Sequence, residues 1–412
     1  MSSSSLQPGS SSALALPPGW QATAARLLRL GQGSHGNELT PFIDGDDAFS
    51  AMLGAINTAQ RRVWFEVYIF APDALGLRVL AALEAAARRG VDVKLLVDAV
   101  GSSDLRAEHL LGLRAAGGVA VHFNDGLLSR FWPFSARKNV PRALRHILSF
   151  AVRDHRKILV VDDDDSFCGG MNVSRDYGGE QLGNGTFRDT HLLISGPATT
   201  TLAAMFARGW KHATGEVLSF APSTPPTVRA EGSHVQILGS DRFLRRRNIQ
   251  RALYTAVTRA ERSILLTTPY FVPPQRLLTA LRRAARRGVD VQVLTAGVSD
   301  VPIARIAARH LYSSLLDSGV RVFELQGKTL HAKTAVIDGF YAHIGSFNLD
   351  RWSYDRNLEV VALTLDADFA AGLERVFADD VNRSVRIDRR RWAQRGWLQR
   401  VVDYLAWHLA RL

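Results

Sequence analysis

The sequence predicts an α/β protein made of two tandem α/β/α units, and three observations predict it. The heptapeptide ARRGVDV occurs at Ala87 to Val93 and again at Ala285 to Val291, 198 positions later. Each copy closes an Ala/Arg-rich helical stretch and opens an apolar run, KLLVDA or QVLTAG, which reads as helix, glycine stop and buried strand. Each is also flanked alike, by a preceding strand (RVWFEVYIF or SILLTTPYF) and by a following helix and short strand (VAVHF or VRVFE). Such alternation argues for helical layers on a largely buried sheet.

In chain order, residues 1–36 read as a disordered tail. They open MSSSSLQPGSSSALALPPGW, with no basic segment ahead of a continuous apolar stretch, so no secretory signal is expected. Residues 37–218 form the first unit and 234–385 the second, joined by the Pro/Ser-rich SFAPSTPPTVRAEGS, residues 219–233. Residues 386–412 form a basic C-terminal helix. The apolar runs are strand-sized, and none approaches the roughly 18 residues of a membrane span. At 412 residues and 46% hydrophobic content, each unit can bury its own core. The single cysteine, Cys168, excludes an internal disulfide framework and reads as a small buried strand residue. A net charge of +12 implies an anionic partner, either nucleic acid or an anionic membrane surface.

A second repeat lies in DHRKILVVDDDDSFCGGMN. There His155-x-Lys157-x4-Asp162-x6-Gly169-Gly170-x-Asn172 is matched by His331-x-Lys333-x4-Asp338-x6-Gly345-Ser346-x-Asn348 at identical spacing. The offset is 176, so the first copy carries 22 extra residues upstream of its histidine, within NDGLLSRFWPFSARKNVPRALRHILSFAVRD. A connection that long is usually functional.

In a strand, residues i and i+2 share a face, so His155 and Lys157 are expected side by side, as are His331 and Lys333. Asp162 and Asp338 open a turn. The small pair that follows lets the neighbouring backbone approach, bringing Asn172 and Asn348 back towards the lysine end. An imidazole, an ammonium and a carboxamide contributed twice suit a phosphodiester. The lysines and asparagines surround the non-bridging oxygens, one neutral imidazole attacks phosphorus, and the other, protonated, gives its proton to the leaving alcohol.

Each imidazole needs its second nitrogen held by a carboxylate. Asp189, 34 residues after His155, and Glu359, 28 after His331, each begin an apolar strand in equivalent positions. Asp163 to Asp165 read as a solvated turn and not as a divalent-metal site. Neighbouring aspartates in a strand alternate faces, and the second copy has Gly339 and Phe340 there. His191 and His343 read as ordinary strand residues.

These residues resemble the phospholipase D superfamily, whose hallmark is a doubled H-x-K-x4-D followed by G-[GS]-x-N. The resemblance covers nearly all of residues 37–385. Within the superfamily the chain looks most like bacterial cardiolipin synthases, through DGDDAFSAMLGAINTAQRRVWFEVYIF, DHRKILVVD, GGMN, FRDTHLLISGPA and GSFNLDRWSYDRNLE. Its short N-terminus resembles the subgroup without membrane spans. The resemblance implies two phospholipase D-like domains, each a mixed β-sheet flanked by helices, related by pseudo-twofold symmetry with the active site at their interface. It implies His155 as nucleophile, by the habit of two-copy members, and His331 as general acid/base. Asp162 and Asp338 complete the catalytic motif, Asp189 and Glu359 orient the imidazoles, and Lys157, Lys333, Asn172, Asn348 and Ser346 bind phosphate. No metal and no cofactor are implied.

The motif gives a reaction class and no substrate, because the superfamily holds nucleases as well as lipid enzymes. Two features favour lipid. In RRRWAQRGWLQRVVDYLAWHLARL, Leu398, Val402, Leu405, Leu409 and Leu412 recur along one helical face. Trp392, Trp397, Tyr404 and Trp407 lie around that face, and Arg389, Arg390, Arg391, Arg395, Arg400 and Arg411 occupy the rest. A basic amphipathic helix with Trp is the pattern of an interfacial anchor, and it also fits a helix docked on the protein's own core. In the first copy's insertion, Leu127, Leu128, Phe131, Trp132 and Phe134 interleave with Arg130, Arg137 and Lys138. That mixture suits a lipid entry lip or a stacking surface for single-stranded nucleic acid.

The expected protein is a peripheral enzyme on the cytoplasmic side of the inner membrane. It moves a phosphatidyl group between phospholipid hydroxyls, with an anionic membrane surface and phosphatidylglycerol or a related lipid as partners and no nucleic acid. A phospholipid hydrolase and a nuclease of the same superfamily are the alternatives, and a non-catalytic membrane scaffold is disfavoured by the intact doubled motif.

Overall fold

Each ARRGVDV copy is a helix stop built around a glycine. In a computed structural model of the chain, Gly90 and Gly288 take φ of 87° and 94°, a left-handed conformation that costs glycine little. Val91 N–H then reaches back to the Ala86 carbonyl and Val289 N–H to that of Ala284, closing the same helix-terminating motif twice. The next residues, Asp92 and Asp290, bond to Arg61 and Arg262 and start a parallel strand pair. The described residues are 19–124, 152–222, 225–241 and 246–410. The expected entry lip at 127–138, together with Arg411 and Leu412, lies outside them.

The first half runs α1 (Gln21–Leu27), β1 (Gln32–Phe42), α2 (Gly45–Thr58), β2 (Arg62–Val67), α3 (Ala74–Arg88), β3 (Asp92–Asp98), α4 (Leu111–Ala115), β4 (Val119–Phe123), β5 (Ile158–Val161), β6 (Asp165–Gly169), β7 (Phe187–Arg188), β8 (His191–Ser195) and α5 (Ala198–Thr214). The second half runs β9 (Ser233–Asp241), β10 (Arg246–Arg247), α6 (Asn248–Arg259), β11 (Ser263–Thr267), α7 (Gln275–Arg286), β12 (Asp290–Val298), α8 (Pro302–Leu316), β13 (Arg321–Leu330), β14 (Thr334–Ile337), β15 (Tyr341–Gly345), α9 (Arg351–Asp355), β16 (Glu359–Leu365), α10 (Ala367–Asn382) and β17 (Ser384–Arg386). It ends with α11 (Arg389–Ala393) and α12 (Trp397–Leu409).

Strand order is β4-β3-β2-β5-β6-β8-β1 in the first half and β13-β12-β11-β14-β15-β16-β9 in the second, one topology used twice. In each, the first three strands are parallel and the rest antiparallel, which makes each sheet mixed. β1 joins the halves, pairing with β8 through Glu38–Phe42 and with β9 from Gln32 to Asn37.

Both faces of each sheet are buried. In β5, Leu159 and Val161 enter the core under α2 and α3, while Ile158 and Val160 enter a core shared with the second half. In β14, Ala335 and Ile337 face α6 and α7 while Val336 joins that same shared core. α5 and α10 contribute Leu202, Phe206 and Trp210, and Leu373 and Phe377, to this middle layer. The period-two alternation of these strands therefore serves two apolar layers, as expected for sheets covered on both sides.

Residues 19–36, read from the sequence as part of a disordered tail, are instead structured. Trp20 is 2% exposed, stacks edge-on against Phe340 at 4.5 Å and donates its indole N–H to Asp338 at 2.8 Å. Ala24 and Leu27 follow it into the second core, and β1 begins at Gln32. The Ser/Gly composition of the first residues hid this one-turn apolar spacing.

Asp162 and Asp338 account for the aspartate of the repeated motif. They hold φ of 53° and 56°, in the left-handed region that aspartate tolerates better than most side chains. The Asp162 carboxylate accepts from the backbone N–H groups of Gln60, Arg61 and Arg62 at 3.0, 2.8 and 3.1 Å. Asp338 accepts in the same way from Glu261, Arg262 and Ser263 at 2.9, 2.8 and 3.0 Å. Each therefore ties the β5–β6 or β14–β15 turn to the start of the neighbouring parallel strand. Asp163 departs from the expected solvated turn: it is 6% exposed and paired with Arg61 and Arg62, because the turn folds back on the start of β2.

Asp338→Ala is expected to lower stability by about 2–4 kcal/mol in denaturant unfolding, since four donors lose a charged acceptor, with a smaller loss for Asp162→Ala. Unchanged midpoints would refute this structural role.

Candidate active site

The H-x-K residues stand just ahead of β5 and β14, where ladder pairing has not begun, and not within the strands as the spacing predicts. Their backbone is placed by the opposite half. His155 N–H donates to the Leu358 carbonyl at 3.0 Å, within a parallel bridge between Asp154 and Leu358. His331 N–H donates to the Arg188 carbonyl at 2.8 Å, at the end of the parallel β7–β13 pair. Leu358 and Arg188 each immediately precede a predicted carboxylate.

The carboxylates are consequently exchanged between copies. His155 Nδ1 meets Glu359 Oε2 at 3.0 Å, and His331 Nδ1 meets Asp189 Oδ2 at 2.6 Å. A carboxylate only accepts, so each Nδ1 carries the proton and each Nε2 is left as the reactive nitrogen. Lys333 Nζ also lies 2.7 Å from His331 Nδ1. An Nδ1 that donates its proton to Asp189 has no lone pair to accept from the Lys333 ammonium, and Lys333 is instead held as a donor to the His331 carbonyl. Lys157 donates to the His155 carbonyl at 2.7 Å in the matching way.

The remaining predicted residues divide. Asn172 is engaged, accepting from Ile69 N–H at 3.1 Å and donating to the Tyr177 hydroxyl at 2.9 Å, whereas Asn348 Oδ1 is buried without a partner among the described residues. Ser346, expected on phosphate, donates to Glu359 Oε2 and accepts from Val360 N–H at 3.1 Å. Its counterpart Gly170 packs on the other carboxylate so closely that a Cβ would sit 2.1 Å from Asp189 Oδ1. Asp162 and Asp338 are not brought to the histidines. They lie beyond the far ends of β5 and β14, and their carboxylates are occupied by backbone.

Sequence reasoning missed several neighbours. Ser353 and Asn357 donate to Glu359 Oε1 at 2.7 and 3.3 Å. Ser353 and Tyr177 both stand five residues after a motif asparagine, a repeat signal that was present. Tyr68 covers His155 with ring centroids 4.8 Å apart and lies 5.1 Å from Lys157 Nζ, while Tyr177 meets His331 edge-on at 5.2 Å. Behind His155, Arg156 bridges Asp154 and Glu66 at 2.7 Å each, and Asp98 accepts from Asp154 N–H at 3.0 Å.

Burial dominates the electrostatics. It takes the His155 imidazole down to about 4, against the pull of Glu359 and with the help of Lys157 and Lys333. His331 is lowered by burial and then by Lys333, against Asp189. Burial likewise brings the Lys157 ammonium to about 7 and that of Lys333 to about 8. For Asp189 the upward push of burial is outweighed by Lys333 and His331, which hold it ionised. Lys333 acts on both His155 and Lys157, so the two half-sites share one electrostatic volume.

A dialkyl phosphate, which stays a monoanion throughout, is expected to bind at least about tenfold more weakly at pH 9 than at pH 6, as Lys157 and Lys333 lose their protons. Calorimetric affinity that is flat across this range contradicts the assignment of these lysines as anion ligands.

Comparison with known proteins agrees with this geometry. The family described as cardiolipin synthase, PLD-like domain, matches residues 52–185 and 253–381, one match per half. The cardiolipin synthase of Geobacillus kaustophilus is 34% identical over 386 residues, covering 92% of this chain and 74% of that protein. Cardiolipin synthase A of Proteus mirabilis is 32% identical over 387 residues, covering 92% and 76%. The crystal structure of phosphatidylserine synthase from Haemophilus influenzae aligns with a TM-score of 0.67 over 95% of this chain and 97% of that one, at 13% identity, a likeness of fold. Two crossed half-sites of this kind, on a duplicated sheet matched twice by one family, mark the chain as a member of the cardiolipin synthase family of phospholipase D-like proteins.

Proposed function

We propose that the protein is a phosphatidyltransferase that moves a phosphatidyl group from one phospholipid to a hydroxyl of another, with phosphatidylglycerol as donor and acceptor. The supporting observation is the pair of buried imidazoles, each fixed through Nδ1 by the other half's carboxylate beside two lysines. The names of the relatives point to the same lipids.

In this reading His155 Nε2, held neutral by burial, attacks phosphorus. The phosphorus–oxygen bond to the leaving alcohol breaks, and His331, protonated, gives that oxygen its proton. Lys157 and Lys333 face the non-bridging oxygens, and the Asn348 Oδ1, unpartnered among the described residues, is available to an incoming donor. His331 then takes the proton of the acceptor hydroxyl, which attacks the phosphohistidine and frees His155. Asp189, kept ionised, favours the cationic state that His331 needs in the first step. With water as acceptor the same steps yield phosphatidic acid. The working place is the cytoplasmic face of the inner membrane; among the described residues no helix is long and apolar enough to cross a membrane.

Full-length protein with labelled phosphatidylglycerol vesicles is expected to form cardiolipin and to trap an acid-labile, base-stable label. Both fall by at least about 10³ in His155→Ala. Cleavage of single-stranded DNA without lipid turnover would sink the proposal in favour of a nuclease.

A further inference from the structure

We propose that α12 and the rim beside it form a docking surface for an anionic phospholipid bilayer, placed so that the active site is served from the membrane side. This rests on the phospholipid reading above. The C-terminal helix leaves its leucine stripe facing outward. Its inward face carries Asp403, 1% exposed and bonded to Arg395 and Gln399, together with Ala406, which packs on Val272 and Ala307. Its outward face carries the apolar stripe: Leu398 is 62%, Val402 48%, Leu405 54% and Leu409 58% exposed. A helix serving only its own core turns that stripe inward. Here Asp403, Ala406, Trp407 and Ala410 are turned inward, and the leucine stripe is left as an apolar face for another partner.

The seat of this helix is linked through buried residues to the histidine cluster. Val272, packed under Ala406, donates its N–H to the Leu349 carbonyl at 2.9 Å, and Leu349 follows Asn348 of the cluster. At the start of α8, Val301 and Ile303 are 37% and 43% exposed and follow Asp300, whose carboxylate accepts from Tyr270 and acts on His331 and Lys333. Trp352, 37% exposed, stands four residues beyond Asn348 with the Arg356 guanidinium 4.5 Å from its ring.

Charge selects the occupant. Arg390, Arg391 and Arg400 are exposed on the same C-terminal segment, in a chain of net charge +12. A second copy brings like charges face to face, whereas an anionic bilayer accepts both the arginines and the leucines.

The test measures partition of the full chain onto phosphatidylglycerol-containing and neutral phosphatidylcholine vesicles, alongside turnover of a water-soluble phosphodiester. Each leucine withdrawn from lipid is worth about tenfold, so Leu398→Ser/Leu405→Ser is expected to partition about a hundredfold more weakly onto anionic vesicles. Val301→Ser/Ile303→Ser is expected to weaken it at least about threefold. Both leave soluble-diester turnover within about twofold. Unchanged partition of the leucine variant, equal partition of wild type onto neutral vesicles, or a vesicle-free wild-type dimer that the leucine variant dissociates would each overturn the docking surface. Wild-type vesicle binding that depends on these leucines without any phospholipid turnover supports the surface and overturns the proposed function instead.

Discussion

The placement of each histidine by backbone of the opposite half is the constraint from which the site follows. One main-chain bond, His155 to Leu358 or His331 to Arg188, sets an imidazole beside a carboxylate that is the next residue along the partner segment. No long side chain or mobile loop intervenes, so the error in placing the pair is that of a β-bridge. The β1–β9 pairing and the shared middle core hold the halves in the register this exchange requires. A buried carboxylate without its partner is costly, so each half is stabilised by completing the other.

Charge balance explains how such a dry cluster persists and why it suits a phosphodiester. Lys157 and Lys333 offset Asp189 and Glu359, and both imidazoles are held in the neutral form by burial. Entry of a monoanionic diester leaves one negative charge uncompensated in a low-dielectric pocket. In the mechanism proposed above, proton uptake by the cluster restores that balance. The same dryness lowers both lysine pKa values, burial being the main cause in each.

Much of this was legible in the sequence because duplication doubles every signal. The glycine helix stops, the repeated alternation of strands and helices, and the pairs His155/Lys157 and His331/Lys333 all follow from spacing and residue type. The exchange of Asp189 and Glu359 was not legible, since sequence order sets each carboxylate behind the motif of its own copy and gives no register between halves. Ser346 was assigned to phosphate for want of knowing that Glu359 lies beside it. Asp162 and Asp338 looked chemical because the motif includes them, although left-handed turns and unsatisfied strand-start N–H groups also require an aspartate. The fate of the C-terminal helix depended on which face docks, and periodicity reports only that two faces exist.

The unlike treatment of the two carboxylates bears on how the gene itself can vary. Asp189 is accommodated by the lack of a side chain at Gly170, and Glu359 is held by the presence of one at Ser346. Recombination between the two internal repeats would copy one solution onto the other carboxylate, crowding it or leaving it unsupported. The internal symmetry of the protein is thus broken at this pair of buried carboxylates.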